Sequence, residues 1–385
     1  PPAPPAPTPE APLTPAGRPR LFAPVALALV GDINLGTLTI PDGVPPDGGR
    51  GLFDAARSAL TGDLVVGNLE GVLADSGTTY KCGKEGTRVG GQPQKDTTLR
   101  ARPRKRARPE RRRRPPADST AQPRLCYAFL TPTALAPRLR DAGFTHLSLA
   151  NNHANDFGPD GRRSTESLLD SLGIGRYGPL GDIAVDSVHR GDSLTTVGLI
   201  GFTTYPYAYD LLDISRSAAV VDSVRPLVDL LIVTFHAGSE GAKALHVPEA
   251  AESLASEPRG DLRRWARAVI DAGADAVVGH GPHVLRGIEF YRAKPIAYSL
   301  GNFLTYRGFN LAGPLGITGV LQLEFAPDRR LRRARLVPML QLPREGPAPD
   351  STVAALELVR RLSLEDFGES GARISPEGEI TAPRH

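Results

Sequence analysis

The sequence predicts an α/β protein with covered sheets, and two observations carry that reading. From Phe22 onward short apolar runs alternate with helix-like stretches, the order expected of βα units around one core. The runs are also far shorter than the ~18 apolar residues of a spanning helix, so they read as buried strands.

Taken in order, residues 24–30 predict a strand, 51–60 (GLFDAARSAL) a helix and 63–67 a second strand. Residues 131–142 predict a helix with Thr131 as N-cap and Pro132 at its first position, where the missing N–H costs nothing. A third strand follows at 146–150, then a helix over 159–172 with Gly173 near its stop. Strands are expected at 195–201, 230–235 and 276–279. The helix at 260–272 can present Leu262, Trp265, Ala266 and Val269 on one face. The second half is richer in β-structure, with runs at 295–300, 317–325 and 331–337, before a last helix at 352–362 and a tail expected to fray.

Two segments depart from this alternation. Residues 1–20 form a Pro/Ala-rich stretch that cannot bury a core and reads as an extended spacer. It starts at Pro1, as expected of a chain that has lost a leader and is secreted or membrane-tethered; a trimmed end beside a disordered tail is the alternative. Residues 83–124 carry the run RARPRKRARPERRRRPP and read as a disordered basic insertion, because like charges repel and proline blocks regular structure. From Lys81 to Arg114 there are 14 Lys or Arg against Glu85, Asp96 and Glu110, a local net of +11, which leaves −7 for the rest of a chain whose total is +4. The body therefore carries no nucleic-acid-binding signature, although the insertion alone could act as an arm for nucleic acid or an anionic polymer. Cys82 and Cys126 bracket the insertion; in an oxidising compartment they would close it into a loop, and otherwise they are unlinked thiols. The domain reading is a spacer at 1–20, a single domain at 21–345 containing the insertion, and a C-terminal helix and tail at 346–385.

The chemistry lies at the strand ends. Asp32 follows the first strand, Glu70 the second, Asn151, Asn152 and His153 the third, His236 the 230–235 strand, and His280 with His283 the 276–279 strand. In open α/β sheets such ends converge on one crevice. Singly, each has a bland reading: Asp32 in a turn, Glu70 solvated, the asparagines satisfying loop geometry, His236 a hydrogen-bonded core histidine. Together they make a mixed oxygen and imidazole set suited to Mn, Fe or Zn, one or two ions, with a histidine left over for proton transfer. His146 within a strand and His246 beside Pro248 read as structural.

The stretches VGDINLG, GNLEGVL, LANNHANDFG, IVTFHAG and VVGHGPHVLRGIEFYRAKPIAYSLGNF resemble the bacterial capsule synthesis protein family, CapA-like and associated with poly-γ-glutamate production. The resemblance covers roughly residues 26–340 without the insertion. That family looks like a branch of the calcineurin-like metallophosphoesterases, which implies a four-layer sandwich of two mixed β-sheets flanked by helices. It further implies Asp32, Glu70, Asn152, His236, His280 and His283 as metal ligands and His153 as the acid that protonates a leaving group. Three departures stand out: Asn34 where phosphoesterases carry a histidine, Glu70 in place of a bridging aspartate, and two residues rather than one between His280 and His283. They imply a weakened first metal position.

The expectation is an extracytoplasmic metal-dependent hydrolase of a phosphoester or envelope-polymer bond. The competing reading is a non-catalytic component of a membrane polymer-synthesis or export complex, working beside synthase subunits. A third reading makes the basic insertion a binder of an anionic polymer or nucleic acid; under the first two readings no nucleic-acid partner is expected.

Overall fold

The strand Val25–Asn34 is buried on both faces, and the fold is built outward from it. The structure, a computed structural model, describes residues 21–81, 86–90 and 127–383. Val25–Asn34 runs parallel to Leu64–Leu69, which is followed in parallel by His146–Ser148 and Gly175–Tyr177. On its other side Val25–Asn34 pairs antiparallel with Ile317–Phe325, and its carboxyl end also takes Asn302–Thr305 in parallel. Leu331–Leu342 and Glu379–Thr381 extend this sheet outward. The second sheet sets Ser193–Thr203, Leu230–His236, Ala276–His280 and Lys294–Ala297 in parallel, with Ala184–Arg190 antiparallel to the first of them and Ile288–Tyr291 antiparallel to the last.

The two-residue period of a strand decides which side chains meet. Leu27 and Leu29 point between the sheets, where they join Leu64, Val66, Val197, Leu199, Ile232 and Val278 in one core. Their neighbours Ala28 and Val30 face outward, against Phe53, Leu135, Leu139 and Phe144. On the far side Leu231 and Val233 face outward onto Val221, Trp265 and Val269 of the helices Ile214–Val224 and Leu262–Asp271. The result is two mixed sheets packed face to face and flanked by helices, as the resemblance implied. Among the described residues, no helix is long and apolar enough to cross a membrane.

Local departures have local causes. The helix expected over 131–142 divides into the strand Leu130–Thr131, a 3-10 turn Thr133–Leu135 and the helix Pro137–Ala142. Pro137 has no N–H to return to the Thr133 carbonyl, so an α-helical ladder cannot run through it. Residues 51–60 yield only a 3-10 turn, Asp54–Ala56. The helix Ile214–Val224 was not anticipated; Asp213 caps it by accepting from the Arg216 N–H at 3.0 Å. The segment after 346 is no frayed appendage. Ala355, Leu356 and Val359 of the helix Ala354–Phe367 enter the inter-sheet core, as do Ile374 and Ile380 from the strands that follow. Of the predicted insertion 83–124, Thr87–Gly90 pairs with Ser76–Thr79 as a hairpin. Residues 1–20, Cys82, Cys126 and the arginine run lie outside the described residues.

Candidate metal centre

Both sheets aim the carboxyl ends of their parallel strands at one edge, and register does the rest. Asp32 pairs with Asn68 on one side and Asn302 on the other. In the second sheet Thr203, His236 and His280 stand side by side. Asp32 is held at a bulge where Gly31 passes the Gly301 carbonyl so closely that a Cβ on Gly31 would sit 1.9 Å from that oxygen. After His280 the chain reverses through Gly281 (φ 114°) and His283 (φ 61°), both left-handed, and this turn swings the His283 imidazole back over Asp32.

The cluster has Glu70 at its centre. Nε2 atoms of His153, His236 and His283 each lie 3.8 Å from Glu70 Oε1. One ligand atom from each of Asp32, Glu70 and His283 falls within 4.8 Å of the other two. Glu70 is fully buried, and neither of its carboxylate oxygens has a hydrogen-bond partner; His236 Nε2 and Asn152 Oδ1 are likewise buried and unpartnered. Buried acceptors left open in this way are costly unless something else supplies the missing partner. Oxygen and imidazole donors converging around unsatisfied atoms fit a divalent transition metal. Asp32 differs, because both its oxygens are used: Oδ1 accepts from Asn68 Nδ2 at 2.8 Å and Oδ2 from His283 Nδ1 at 3.0 Å. A carboxylate that holds the far nitrogen of a histidine leaves Nε2 of that ring as the donor.

Electrostatics follow from burial and crowding. Burial raises the Glu70 carboxyl well above its ordinary value, and the charges of Asp32 and Glu240 add to the effect. Burial would also raise Asp32, but the hydrogen bond and charge of His283, with the charges of His236 and His280, hold it below the usual carboxylate range. His283 would be lowered by burial, yet the Glu70 and Asp32 carboxylates lift it to about 10. Burial pushes His236 well below its ordinary value and His153 down to about 4, despite Asp156 beside the latter.

His280 stands in the same row but is turned away from Glu70. Its Nε2 faces the Val30 carbonyl at 3.0 Å and its Nδ1 the Phe235 carbonyl at 3.2 Å. Asn34, at the variant position, donates Nδ2 to the Glu70 carbonyl at 2.8 Å and accepts from the Gly36 N–H at 3.0 Å, so its side chain is spent on the loop.

Asn68, Asp156 and Lys81 were not singled out from the sequence, and Asn151 was named among the strand-end residues without a role of its own. Asn68 and Asn151 form a buried relay: Asn151 Nδ2 donates to Asn68 Oδ1 at 3.0 Å and to the Leu69 carbonyl at 2.8 Å, while its Oδ1 accepts from the His153 N–H at 3.0 Å. Asp156 Oδ2 pairs with His153 Nδ1 at 2.7 Å and fixes that ring. Lys81 Nζ pairs with Asp156 Oδ1 at 2.6 Å and donates to the Asn152 carbonyl at 2.9 Å. Asp156 could have been found as a carboxylate three residues after His153. Lys81 was masked by the basic run it introduces. The cleft over the cluster is about 940 Å³ and is bordered by Lys81, Phe129, Asn152, His153, Arg259 and His283, among others.

With this geometry in hand, the comparisons are specific. The sequence profile described as bacterial capsule synthesis protein PGA_cap matches residues 115–307. The chain is 33% identical over 186 residues to the PGA biosynthesis protein CapA of Bacillus subtilis, covering 44% of this chain and 45% of that protein. It is 30% identical over 188 residues to the capsule biosynthesis protein CapA of Bacillus anthracis, covering 44% and 42%. The matches thus span less than half the length of these curated relatives. Among solved structures, a 5'-nucleotidase precursor from Thermus thermophilus superimposes over 89% of this chain and 59% of its own, at 14% identity and a TM-score of 0.39.

Proposed function

The chain belongs to the bacterial capsule synthesis protein family, and from that membership we propose that it serves envelope-polymer production as a metal-dependent hydrolase of a phosphoester or envelope-polymer bond, outside the cytoplasm. One observation carries the reading: the two open oxygens of Glu70 and the open Nε2 of His236, buried together beside His283. Glu70, His236 and His283 hold the ion in this reading, with Asp32 orienting His283 and Asn152 Oδ1 available at the cleft wall. A divalent transition metal held there would supply Lewis acidity for activating water and for offsetting charge on the group being transferred.

The other steps belong to the chain. His153 is neutral at physiological pH, because burial holds it near 4. Its Nδ1–H is given to Asp156, so Nε2 faces the cluster as an acceptor. It therefore takes up a proton before returning one to a leaving oxygen, as positioned acid–base groups do. Asp156 keeps the ring oriented, and Lys81 balances the Asp156 charge.

The test is elemental analysis of protein purified without chelator, in wild type and in Glu70→Gln. Stoichiometric Mn, Fe or Zn that disappears in the variant supports the reading; wild-type protein without metal sinks it. Metal-loaded protein is then assayed on phosphomonoesters, phosphodiesters and polyglutamate.

A second reading, a non-catalytic component of a synthesis or export complex, is favoured by Asn34 and His280. Both are committed to backbone partners, which leaves fewer open donors than two ions need. It expects Glu70→Gln to abolish polymer production, and the metal-loaded protein to hydrolyse no member of the panel.

A further inference from the structure

Two arginines lie inside the molecule beside the loop that follows His236, and their hydrogen bonding differs. Arg259 and Arg286 are each 1% exposed. Arg286 gives every guanidinium nitrogen a partner: Nε donates to the Ala244 carbonyl, Nη1 and Nη2 to the Glu252 carboxylate. Arg259 does not. Its Nη2 donates to Glu240, while Nε and Nη1 are buried with no hydrogen-bond partner, Nε standing 3.6 Å from the Glu257 carboxylate. A buried cation with unmade hydrogen bonds is costly, so the surroundings of its open donors carry information.

Those surroundings are the cleft over the cluster. Arg259 sits on the strand Glu257–Gly260, which pairs with Glu252–Leu254, and its carbonyl accepts from the Gly238 N–H at 3.0 Å, two residues after His236. Glu240 reaches from that same loop to within 4.0 Å of His283 Nε2. Arg259 borders the cleft together with Asn152, His153 and His283. Among the described residues one other Lys or Arg borders it, Lys81, whose ammonium is spent on Asp156 and the Asn152 carbonyl. With Glu240 on one hydrogen of Nη2 and Glu257 beside Nε, the end of the guanidinium is left over. There Nη1 and the second Nη2 hydrogen form a fork that matches two free oxygens on one atom.

We propose that Arg259 holds a single oxyanion beside the metal cluster through this end fork, and that Glu240 competes with that oxyanion for the same guanidinium. The proposal rests on the cleft at Glu70 being the substrate site. The group held is one phosphate or one free carboxylate; an ester or amide carbonyl has one free oxygen and leaves half the fork open. Arg259 therefore sets which end group is accepted, and Glu240 sets how tightly.

The experiment titrates inorganic phosphate and glutarate, separately, into Mn-loaded wild type, Arg259→Met, Arg259→Lys, Glu240→Gln and the double variant Arg259→Met/Glu240→Gln. Metal content and melting temperature are recorded for each. The anion bound more tightly by wild type identifies the source. Arg259→Met should lose about 10- to 100-fold in affinity for it, the range for charge-assisted hydrogen bonds. Arg259→Lys keeps the charge and the Glu240 pair but not the fork, and should still lose about 5-fold or more. Glu240→Gln should gain about 2- to 5-fold, and that gain should vanish in the double variant, as coupling through one guanidinium requires. An arginine that only anchors Glu240 would make the Arg259→Met and Glu240→Gln affinities move together, and that result overturns the proposal. So does unchanged affinity in Arg259→Met and Arg259→Lys, or a Glu240→Gln gain that persists in full without Arg259. With metal stoichiometric, any of these sinks the Arg259 role alone. Wild type that takes up no Mn yet binds the anion in an Arg259-dependent way sinks the metal reading and leaves the Arg259 role standing.

Discussion

His236 Nε2 stops 3.8 Å from Glu70 Oε1, and neither atom has a hydrogen-bond partner. Glu70 follows a strand of one sheet and His236 ends a strand of the other, 166 positions later in sequence. Two buried lone-pair-bearing atoms facing each other repel unless a proton or a cation lies between them. Ligand-to-ligand spacings of this order are what donors bound to one ion at about 2.0–2.2 Å leave between them.

Replacing Glu70 tests that gap directly. Glu70→Gln should lower metal occupancy by at least about 10-fold, the smaller end of what even supporting residues cost a metal site. The variant should not be less stable than wild type stripped of metal, because an amide carries no charge to desolvate. Elemental analysis and thermal melts with and without chelator check both halves. A variant that keeps full metal content would place the ion elsewhere.

His153 separates catalysis from metal binding. It is held by Asp156 and packed on Phe129, with its Nε2 turned to the cluster. His153→Ala should leave metal content unchanged and reduce turnover by about 10²- to 10⁴-fold, the range for losing a positioned acid–base group. Asp156→Asn should reduce turnover through the same ring. It should also lower the melting temperature, because Asp156 accepts from the Phe129 N–H at 2.8 Å and pairs with Lys81. Loss of metal in His153→Ala would make it a ligand rather than a proton carrier.

Much of this site was legible because strand ends are a simple code: a short apolar run, then a polar residue with a lone pair and a glycine within a few positions of it. Asp32, Glu70, His236 and His283 are of this kind, and the topology brings their side chains together. His280 obeys the same code yet turns to the Val30 and Phe235 carbonyls, since a strand pattern places a residue on a row without fixing its rotamer. Asn68 was passed over, and Asn151 was named without a role, because an amide that links other side chains looks in sequence like any loop asparagine. The fold was legible in its period-two apolar strands. The C-terminal strands were not, because Arg373–Ile374 and Glu379–Thr381 are too short to show a period and gain their place only by pairing with each other and with Leu331–Leu342.

The loop that follows His236 is clamped by a buried ion pair. Arg286 donates Nη1 and Nη2 to the Glu252 carboxylate at 2.8 and 2.7 Å and Nε to the Ala244 carbonyl at 2.7 Å, with both side chains buried. Removing one member strands the other charge. Arg286→Ala should therefore cost about 3–5 kcal/mol in chemical denaturation. Replacing both partners with apolar residues should cost less, because no lone charge stays behind. Equal losses in the single and double variants would show that the guanidinium acts through packing alone.

Gly31 sets the position of Asp32. A Cβ there would lie 1.9 Å from the Gly301 oxygen and 2.7 Å from that of Leu300, both backbone atoms that cannot rotate away. Gly31→Ala should cost about 3 kcal/mol or more by overpacking, and the pairing of Val25–Asn34 with Asn302–Thr305 should open. Because Asp32 holds His283, metal content should fall with it. A stable, fully metallated Gly31→Ala protein would mean that the bulge is not what positions Asp32.

The protons held by the cluster make ion binding depend on pH, with a definite sign. Glu70 is raised by burial and by neighbouring carboxylates, and His283 is lifted to about 10 by Glu70 and Asp32. Groups with raised values carry protons below those values, and a ligand must shed its proton before it can donate to a metal. Ion affinity should therefore climb as pH rises through neutrality, by up to about tenfold per pH unit for each proton displaced. His236 and His153 add little to this dependence near neutrality, since both are held neutral there. Calorimetric titration with Mn or Zn in two buffers of different ionisation enthalpy should report release of about one proton per ion near pH 7. Identical heats in the two buffers would show that His283 already offers a bare Nε2 lone pair and that its Nδ1 proton stays with Asp32 throughout.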